Sequence, residues 1–465
     1  MSNSSRLLRI ALASGVFFLA FYFRTPAWSD WGTFLFWLII ILSSFLILTE
    51  IWAFHKIFHR KGRRLSVIIV ALAWLSLSIA TASQVNFLLT KQTVLENLTS
   101  ATPETPKTSK TPKTPKTPKT PKTPETPKIV NLGQHFVIGY RDFEELKLLV
   151  EKQGVAGVFI TNRNVIGKTK EQVKQEIKTL QEIRKSQGLP PLLVAADQEG
   201  GIVSRLSPPL TKLPSLARII DDEKNLDQQK QKVIEYAAKQ GQELAEIGVN
   251  LNFAPVVDLN KGIRVVNDKY SKINYRAISE NKEVVAKVAL WYCQTLEKYN
   301  VKCTIKHFPG LGRVKTDTHI AEAELNASLA DLTNDDWVPF REVMKNTQAF
   351  TMIGHAKLMA VDPVNAASFS HKVVTDIIRQ NWQHNGILIT DDFGMQAVYG
   401  SKDGIENATV KSINAGVDLI LLSYDKDLYY DAMYALMKAA KTGKLDTQVL
   451  GKSQERLDRF YSVIK

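Results

Sequence analysis

The hydrophobic pattern divides the chain into regions of different character. In the first hundred residues, three long apolar runs cover residues 10–23, Thr33–Thr49 and Leu65–Thr90. The second and third runs carry no charge and match the roughly 20 residues that cross a bilayer core. The first run reaches that length only if Arg9 extends its charged group to the lipid interface. Residues 1–100 are therefore predicted to form a membrane anchor with two or three transmembrane helices.

Shorter apolar runs alternate with amphipathic segments from residue 129 onward. Eight runs have the length and composition of β-strands: His135–Tyr140, Val155–Thr161, Leu192–Ala196, Leu251–Val257, Lys302–Lys306, Ala349–Gly354, Gly386–Thr390 and Val417–Leu422. Eight strands separated by helices predict an α/β fold, a (β/α)8 barrel of the TIM type, over residues 129–465. A doubly wound open sheet shows the same alternation and is the alternative.

The segments between these strands have helical periodicity. In Glu171–Leu180 the apolar residues Val173, Ile177 and Leu180 share one face. The last segment, Asp446–Ile464, is predicted to be a closing helix whose first residue is the N-cap.

Residues 101–128 are a low-complexity region built on Thr-Pro-Lys and its variants. Proline recurs at every third position from Pro112 to Pro127, which suits the three residues per turn of polyproline II. At about 3.1 Å per residue this linker would extend about 85 Å. We expect a stiff, self-repelling spacer, and adhesion to an anionic envelope polymer is the alternative.

The net charge follows the same division. The chain carries 60 Lys and Arg against 46 Asp and Glu, a formal net charge of +14. Residues 1–100 contain nine basic and three acidic side chains, and residues 101–128 contain seven lysines and two glutamates, so residues 129–465 retain only +3. A nucleic-acid-binding face needs basic residues concentrated on the folded domain. Nucleic acid is therefore not an expected partner, and nothing in the pattern specifies an oligomeric state.

The basic residues of the anchor also predict its orientation. The loop His55–Arg64 is strongly basic, whereas Arg24–Trp31 carries one Arg and one Asp. By the positive-inside rule the basic loop is cytoplasmic, so the third apolar run carries the rest of the chain across the bilayer. We expect an inner or plasma membrane location with the barrel on the extracytoplasmic side. Cleavage of a signal peptide after Ala82 is the alternative.

The two cysteines, Cys293 and Cys303, exclude a disulfide scaffold. Cys303 lies in a predicted strand and is expected to be a small core residue. A disulfide between the two in an oxidising compartment is the alternative. No spacing of residues suggests a metal site or a phosphate-binding glycine loop, so neither a metal nor another cofactor is expected.

Polar residues stand where five of the predicted strands end. They are Asp197, Asp258, Lys306 with His307, His355, and Asp391 with Asp392. A single aspartate in such a place commonly caps the next helix, and Asp392 is expected to do so. The C-terminal ends of the strands of a TIM barrel meet at one mouth, where the active site forms. Five strands that end in this way therefore predict a functional site.

Two segments resemble signature motifs of family 3 glycoside hydrolases, in their β-N-acetylglucosaminidase branch. Lys306–His319 reads KHFPGLGRVKTDTH, where the branch has Lys-His-Phe-x-Gly-His-Gly-x4-Asp-Ser-His. Asp197–Arg205 reads DQEGGIVSR, similar to the branch's Asp-Gln-Glu-Gly-Gly-x-Val-x-Arg. Further matches follow the family's order: Asn252–Asp258, Arg276 with Ala277, and Thr390–Asp392. The resemblance covers about residues 130–465.

The resemblance implies a retaining hydrolase that removes a terminal β-linked N-acetylhexosamine. Retention requires a carboxylate nucleophile, and Asp391 matches the family's nucleophile. The acid/base of this branch is a histidine on the loop after the fifth strand, oriented by an aspartate two residues earlier. These roles correspond to His319 and Asp317. An imidazole titrates near neutral pH and can therefore serve as an acid and then as a base.

The resemblance also implies a set of sugar-binding residues: Asp197, Arg205, Arg276, Lys306 and His307. An internal ion-pair network with Asp197 and Asp258 is the alternative role for the cations. His355 either lines the site or is a hydrogen-bonded structural histidine. Leu311 stands where the branch has histidine, so the loop that leads to His319 lacks one polar group.

We therefore expect an exo-acting β-N-acetylglucosaminidase that trims cell-wall or surface polysaccharide. Its partners would be a carbohydrate with a terminal β-linked GlcNAc and the lipid bilayer. A β-glucosidase of the same family commonly carries its acid/base on a second domain, for which the chain after Leu422 is short. The sequence also leaves open a glycoside phosphorylase that uses the same histidine, and a catalytically inactive, membrane-anchored glycan-binding protein.

Overall fold

The computed structural model describes residues 83–98, 131–220, 225–266, 268–423 and 426–463. The apolar runs 10–23 and Thr33–Thr49, most of Leu65–Thr90 and the linker 101–128 lie outside the described residues. Within the described ranges, no helix combines the length and the hydropathy needed to cross a membrane.

Eight parallel strands close into a barrel. They are β1 (Phe136–Gly139), β2 (Gly157–Ile160), β3 (Leu193–Ala196), β4 (Leu251–Asn252), β5 (Lys302–Phe308), β6 (Phe350–Ile353), β7 (Leu388–Asp392) and β8 (Leu419–Leu422). Each strand pairs with its neighbours in the chain, and β1 pairs with β8, where Phe136 lies opposite Ile420. Every predicted strand is present, and closure of the sheet confirms the barrel and excludes the open sheet.

Two pairs of short strands brace the loops that leave the C-terminal ends of the barrel strands. Gln198–Gly200 and Val203–Ser204 form an antiparallel pair directly after β3. Ala323–Leu325, after β5, pairs in parallel with Ala356–Leu358, after β6. These pairs lie among the segments that carry the predicted site residues.

Helices connect the strands. They are Phe143–Glu151, Asn162–Val165, Lys170–Ser186, Leu226–Ile247, Ile273–Arg276, Lys282–Glu297, Leu329–Asn334, Val338–Asn346, Gln396–Tyr399, Gly404–Ala415, Lys426–Lys441 and Thr447–Val463, with a π-helix at Lys372–Asn381. The three apolar residues predicted to share a face are buried on Lys170–Ser186. The Asp446 carboxylate accepts hydrogen bonds from the backbone N–H groups of Gln448 at 2.9 Å and Val449 at 3.1 Å. The predicted cap of the closing helix is therefore confirmed.

The closing helix covers the N-terminal end of the barrel. Inward side chains of the strands form one buried cluster with Leu457 and Phe460 of the helix Thr447–Val463. The rings of Phe350 and Phe460 meet edge to face with centroids 4.9 Å apart. Because the barrel interior is packed in this way, only the C-terminal end is available for a site.

A buried ionic network fixes the closing helix to β8. Asp418 is completely buried and accepts hydrogen bonds from Arg379 at 2.6 Å and Arg456 at 2.8 Å. Burial would raise the pKa of Asp418, but the two guanidinium groups outweigh burial and hold this pKa below its ordinary value. Both carboxylate oxygens are thus paired with cations, which a buried charge requires.

Cys293 and Cys303 form a disulfide. The expectation that Cys303 is merely a small core residue is therefore wrong. The helix Lys282–Glu297 turns back directly into β5, and this return brings the two Cα atoms to 5.3 Å. That separation lies within the usual range for a disulfide. The hydrophobic pattern of the sequence does not indicate which residues come this close.

Residues 83–98 form a helix, the end of which belongs to the compact unit Val94–Lys465. The side chains of Val94 and Leu98 are buried. Leu98 lies against Gly154, because a Cβ atom placed on Gly154 would stand only 2.9 Å from the Leu98 Cδ1 atom. The helix therefore ends on the loop between Phe143–Glu151 and β2, at the N-terminal end of the barrel.

The next described residue after Leu98 is Asn131, and it contacts the same loop between Phe143–Glu151 and β2. The Asn131 amide donates a hydrogen bond to the Gln153 side chain at 3.5 Å. A Cβ atom on Gly133 would stand 2.2 Å from the Gln153 carbonyl oxygen, so glycine allows this close approach. Leu98 and Asn131 therefore contact adjacent residues, Gly154 and Gln153.

Candidate active site

Asp391 lies at the C-terminal end of β7 and is partly buried. One of its oxygens accepts a hydrogen bond from the Asp392 N–H at 2.8 Å. Burial would raise the pKa of Asp391. The nearby imidazoles of His307, His355 and His319 outweigh burial and hold this pKa below its ordinary value. The carboxylate is therefore kept ionised, as a nucleophile must be.

Asp392 points to the neighbouring strand rather than to the next helix. Its carboxylate accepts hydrogen bonds from the Ser423 N–H at 2.9 Å, the Ser423 hydroxyl, and the Gly394 N–H at 2.9 Å. Met395 occupies the N-cap of Gln396–Tyr399. The predicted cap is therefore wrong, and Asp392 instead joins β7 to the end of β8, beside the nucleophile.

Asp317 and His319 form a hydrogen-bonded pair on the loop after β5. The His319 Nδ1 atom lies 2.8 Å from the Asp317 Oδ1 atom. Because an ionised carboxylate only accepts hydrogen bonds, Nδ1 carries the proton and Nε2 is left for the substrate. Burial would raise the pKa of Asp317, but hydrogen bonds from His319 and from the Tyr270 N–H lower it. Asp317 therefore remains ionised and can stabilise an imidazolium.

The main chain around this pair is hydrogen-bonded to the segment that follows the nucleophile. The Gln396 N–H donates to the His319 carbonyl at 3.2 Å, and the Ala397 N–H donates to the Thr318 carbonyl at 3.2 Å. Gln396 follows Asp391 by five residues. The loops after β5 and β7 are thus joined, which brings the imidazole and the carboxylate to one mouth.

The first residues of the loop after β5 show the effect of having leucine at position 311, where the resembling branch has histidine. Leu311 is buried, and its N–H donates to the Asp258 Oδ1 atom at 2.6 Å. A Cβ atom on the next residue, Gly312, would stand 1.9 Å from the Leu259 carbonyl oxygen. The loop therefore keeps its path through main-chain contacts, and an apolar side chain takes the buried position.

Lys306 and Arg276 share a carboxylate that sequence reasoning did not select. Lys306 Nζ lies 2.6 Å from Asp197 Oδ1 and 2.6 Å from Glu199 Oε1. Arg276 binds both oxygens of Glu199, at 2.6 and 2.9 Å. Burial would raise the pKa of Glu199, but the charges of Arg276 and Lys306 outweigh burial and lower it to about 2. The internal ion-pair network is therefore present, with Glu199 at its centre.

His307 is held on both sides of its ring. Its Nδ1 atom lies 2.7 Å from the Asp258 Oδ2 atom, and its Nε2 atom lies 3.3 Å from the Arg276 Nη2 atom. The side chain of Asp258 is fully buried. These contacts fix the orientation of the imidazole beside Asp391.

His355 is a hydrogen-bonded structural histidine. Its Nδ1 atom lies 2.8 Å from the Ser368 hydroxyl, and its Nε2 atom lies 3.0 Å from the Asp392 carbonyl. Burial is the main cause that lowers the pKa of His355. The residue therefore supports the end of β7.

Arg205 is the one predicted binding residue that the described structure leaves outside this group. Its main-chain N–H donates to the Asp197 carbonyl at 3.0 Å, while its side chain is exposed. The other four, Asp197, Arg276, Lys306 and His307, form one connected cluster. A sugar-binding role for Arg205 stays a prediction.

Glu199 was missed as a site residue, although it lies inside the motif that identified its neighbours, and Asp258 was predicted only as a strand-end carboxylate and a possible ion-pair partner. Their presence in these sequence motifs could have identified them, but the residues that they contact are determined by the fold. Glu199 and Arg276 are 77 positions apart in sequence. In the part of the chain that the structure describes, no group of His, Cys, Asp or Glu is arranged to hold a metal ion.

Comparisons with known proteins agree with this geometry. Residues 127–460 match the family profile described as glycosyl hydrolase family 3 N terminal domain. A β-hexosaminidase from Xylella fastidiosa (strain M23) is 32% identical over 312 residues, which cover 65% of this chain and 87% of that protein.

Two solved structures are similar over the same region. A family 3 β-N-acetylglucosaminidase from Paenibacillus sp. str. FPU-7 has a TM-score of 0.64 and 28% identity, covering 70% of this chain and 60% of that chain. A β-N-acetylhexosaminidase from Beutenbergia cavernae DSM 12333 has a TM-score of 0.61 and 26% identity, covering 72% of this chain and 98% of that chain. From its barrel, its motifs and these matches, the chain belongs to glycosyl hydrolase family 3 and is a glycoside hydrolase.

Proposed function

We propose that the chain is an exo-acting, retaining β-N-acetylglucosaminidase that hydrolyses terminal β-linked GlcNAc from cell-wall or surface polysaccharide fragments. One observation carries this proposal. The loop with the Asp317–His319 pair is hydrogen-bonded to the loop that follows Asp391, so a nucleophile and an acid/base share one mouth. The names of the similar proteins, β-hexosaminidase and β-N-acetylglucosaminidase, support the choice of sugar.

The reaction proceeds in two displacements. The Asp391 carboxylate attacks the anomeric carbon, while protonated His319 gives its Nε2 proton to the glycosidic oxygen and the bond to the leaving group breaks. Neutral His319 then takes a proton from water, whose oxygen attacks the anomeric carbon and releases Asp391. Ionised Asp317 stabilises the imidazolium at the start and end of the cycle. Two inversions restore the β configuration.

The terminal sugar is held by the cluster at the ends of β3 and β5. The Asp197 side chain remains 26% exposed although it binds Lys306, so its carboxylate can also accept from sugar hydroxyls. Arg276 and Lys306 supply donors for hydroxyl or acetamido oxygens, whereas His307, which donates from Nδ1 to Asp258, presents Nε2 as an acceptor for a sugar hydroxyl. Exposed Arg205 is the contact that we propose at the rim.

The test uses the full chain purified in detergent. Wild type is expected to cleave an aryl β-N-acetylglucosaminide, and NMR should show the β anomer as the first product. Asp391→Asn should lose about 1,000-fold or more of kcat/KM. Asp376→Asn, a control at an exposed aspartate, should stay within about twofold of wild type. Unchanged turnover in Asp391→Asn, or no turnover by wild type, would overturn the proposal.

The same assay separates the competing functions. Preference for an aryl β-glucoside would indicate a β-glucosidase. A requirement for phosphate, with sugar 1-phosphate as the product, would indicate a phosphorylase. Saturable binding of GlcNAc oligomers without turnover would indicate a glycan-binding protein.

We also propose that residues 1–100 anchor the enzyme in the inner or plasma membrane through two or three transmembrane helices, with the barrel on the extracytoplasmic side. The disulfide between Cys293 and Cys303 supports this side, because disulfides persist in oxidising compartments. A membrane-impermeant maleimide should label Ser109→Cys in intact cells. The matched variant Gly62→Cys, in the basic loop, should react only after permeabilisation. The reverse pattern would contradict the proposal.

A further inference from the structure

Large apolar side chains are exposed around the mouth of the barrel. Those on segments that leave the C-terminal ends of the strands include Ile202, Val266, Tyr270, Tyr275, Ile320 and Tyr399. Exposed apolar residues that gather beside a site are typical of binding surfaces. The mechanism given above uses none of these side chains.

Tyr270 is the member of this group that contacts the acid/base. Its ring centroid lies 5.5 Å from that of His319, with the two planes inclined by 40°. The residue is 57% exposed. Its N–H donates a hydrogen bond to the Asp317 Oδ2 atom at 3.1 Å. The backbone that carries the exposed ring is therefore fixed to the catalytic pair.

The chemistry determines what passes next to this ring. An acid that protonates the glycosidic oxygen must stand on the leaving-group side of the scissile bond. The group attached to that oxygen therefore lies beside His319, where Tyr270 presents its ring. The C–H face of a pyranose can cover an aromatic ring, which removes apolar area from water while the sugar hydroxyls stay solvated.

We infer that Tyr270 is the platform of a leaving-group subsite, which takes the sugar residue on the reducing side of the cleaved bond. This inference rests on the proposed function and adds a preference to it. The stacking acts in the first displacement, while the leaving sugar is present. It does not act on a substrate whose leaving group is too small to reach the ring.

The test compares two substrates with the full chain in detergent. In N,N′-diacetylchitobiose the leaving group is a sugar, and in 2-acetamido-2-deoxy-β-glucosyl fluoride it is one atom. Tyr270→Ala removes the ring but keeps the N–H that binds Asp317. It should therefore lower kcat/KM for the disaccharide about tenfold, or about 1.4 kcal/mol. The kcat/KM for the fluoride should stay within about twofold of wild type. Tyr270→Phe keeps the ring and should resemble wild type with both.

Two controls make the outcome specific. Tyr434→Ala removes another exposed tyrosine, on the helix Lys426–Lys441, and should change neither value. The pH profile of kcat/KM for the disaccharide should keep its shape in Tyr270→Ala. A shifted profile would show that Tyr270 acts on His319 instead. That result, an equal loss with both substrates, or no loss at all would overturn the platform. Absence of turnover by wild type would remove the proposed function itself.

Discussion

The charged residues at the mouth of the barrel have two roles: some react with the substrate, and others hold the reacting or binding residues in place. Asp391 and His319 keep one side free for the substrate. Asp317 and Glu199 are paired with cations or N–H donors, and these partners lower their pKa values. Positioning at this site therefore depends on carboxylates that stay ionised despite burial.

The role of Asp317 predicts a large effect from a small change. Asp317→Asn keeps the shape of the side chain but removes the charge that stabilises the imidazolium and selects its tautomer. We expect kcat/KM for an aryl β-N-acetylglucosaminide to fall about 100-fold or more, with little change in the melting temperature. Kinetics and thermal unfolding of the same preparation test this. Activity near that of wild type would show that His319 does not need its partner.

Glu199 predicts a pH-dependent stability difference. Its pKa is lowered from about 4.5 to about 2 in the folded chain, so its contribution is fully present above about pH 4.5 and decreases as the pH falls towards 2. Glu199→Gln breaks a buried pair and should lower the free energy of unfolding by about 3 kcal/mol at pH 7.

Thermal unfolding at several pH values measures this difference. The gap between wild type and Glu199→Gln should be constant above about pH 5 and shrink towards pH 3. Glu182→Gln, at a site where the side chain is 61% exposed, should show no gap. A gap that widens as the pH falls would contradict the assignment.

At the scale of elements, the loops after β5 and β7 act as one unit because their main chains are joined. The path of the β5 loop depends on Gly312, which touches the Leu259 carbonyl. Both partners in this contact are main-chain atoms, so no flexible side chain can move aside to make room. A side chain at this position would therefore displace the loop that carries His319.

Gly312→Ala should reduce kcat/KM about 100-fold, since displacements of about 1 Å have effects of this size. Gly451→Ala is the matched control, because a Cβ atom at that position of the closing helix would have no atom within 4 Å beyond the backbone of its own helix turn. Steady-state kinetics with an aryl β-N-acetylglucosaminide test both variants. Full activity of Gly312→Ala would mean that the loop tolerates the shift.

The sequence was sufficient for the elements and insufficient for some of the contacts between them. Apolar runs located all eight strands, and their polar ends located Asp391 and Lys306, because both depend on local order along the chain. The partner of Arg276 depends on which distant loops meet, and the pattern does not contain that information. The same holds for the Tyr270 ring beside His319 and for the Cys293 disulfide.

At the scale of the whole molecule, the two ends of the barrel have different tasks. The C-terminal end holds the reacting groups, and the N-terminal end holds the closing helix through Asp418 and its two arginines. Damage at the N-terminal end should therefore reduce stability and leave the chemistry intact.

Asp418→Asn removes a buried charge and leaves Arg379 and Arg456 without their carboxylate. Breaking such a pair costs about 3–5 kcal/mol, so the melting temperature should fall by about 10 °C. Below that temperature kcat/KM should stay within about twofold of wild type. Asp458→Asn, an exposed change on the same helix, should alter neither quantity. Loss of activity in a folded Asp418→Asn protein would contradict the separation of the two ends.

The contacts of Leu98 and Asn131 with the adjacent loop residues Gly154 and Gln153 have a consequence for the segment 99–130. Leu98 and Asn131, which flank this segment, contact adjacent residues, so its length does not set the distance between the end of the helix 83–98 and the barrel. A change in the number of Thr-Pro-Lys repeats is therefore not expected to move the end of that helix away from the barrel.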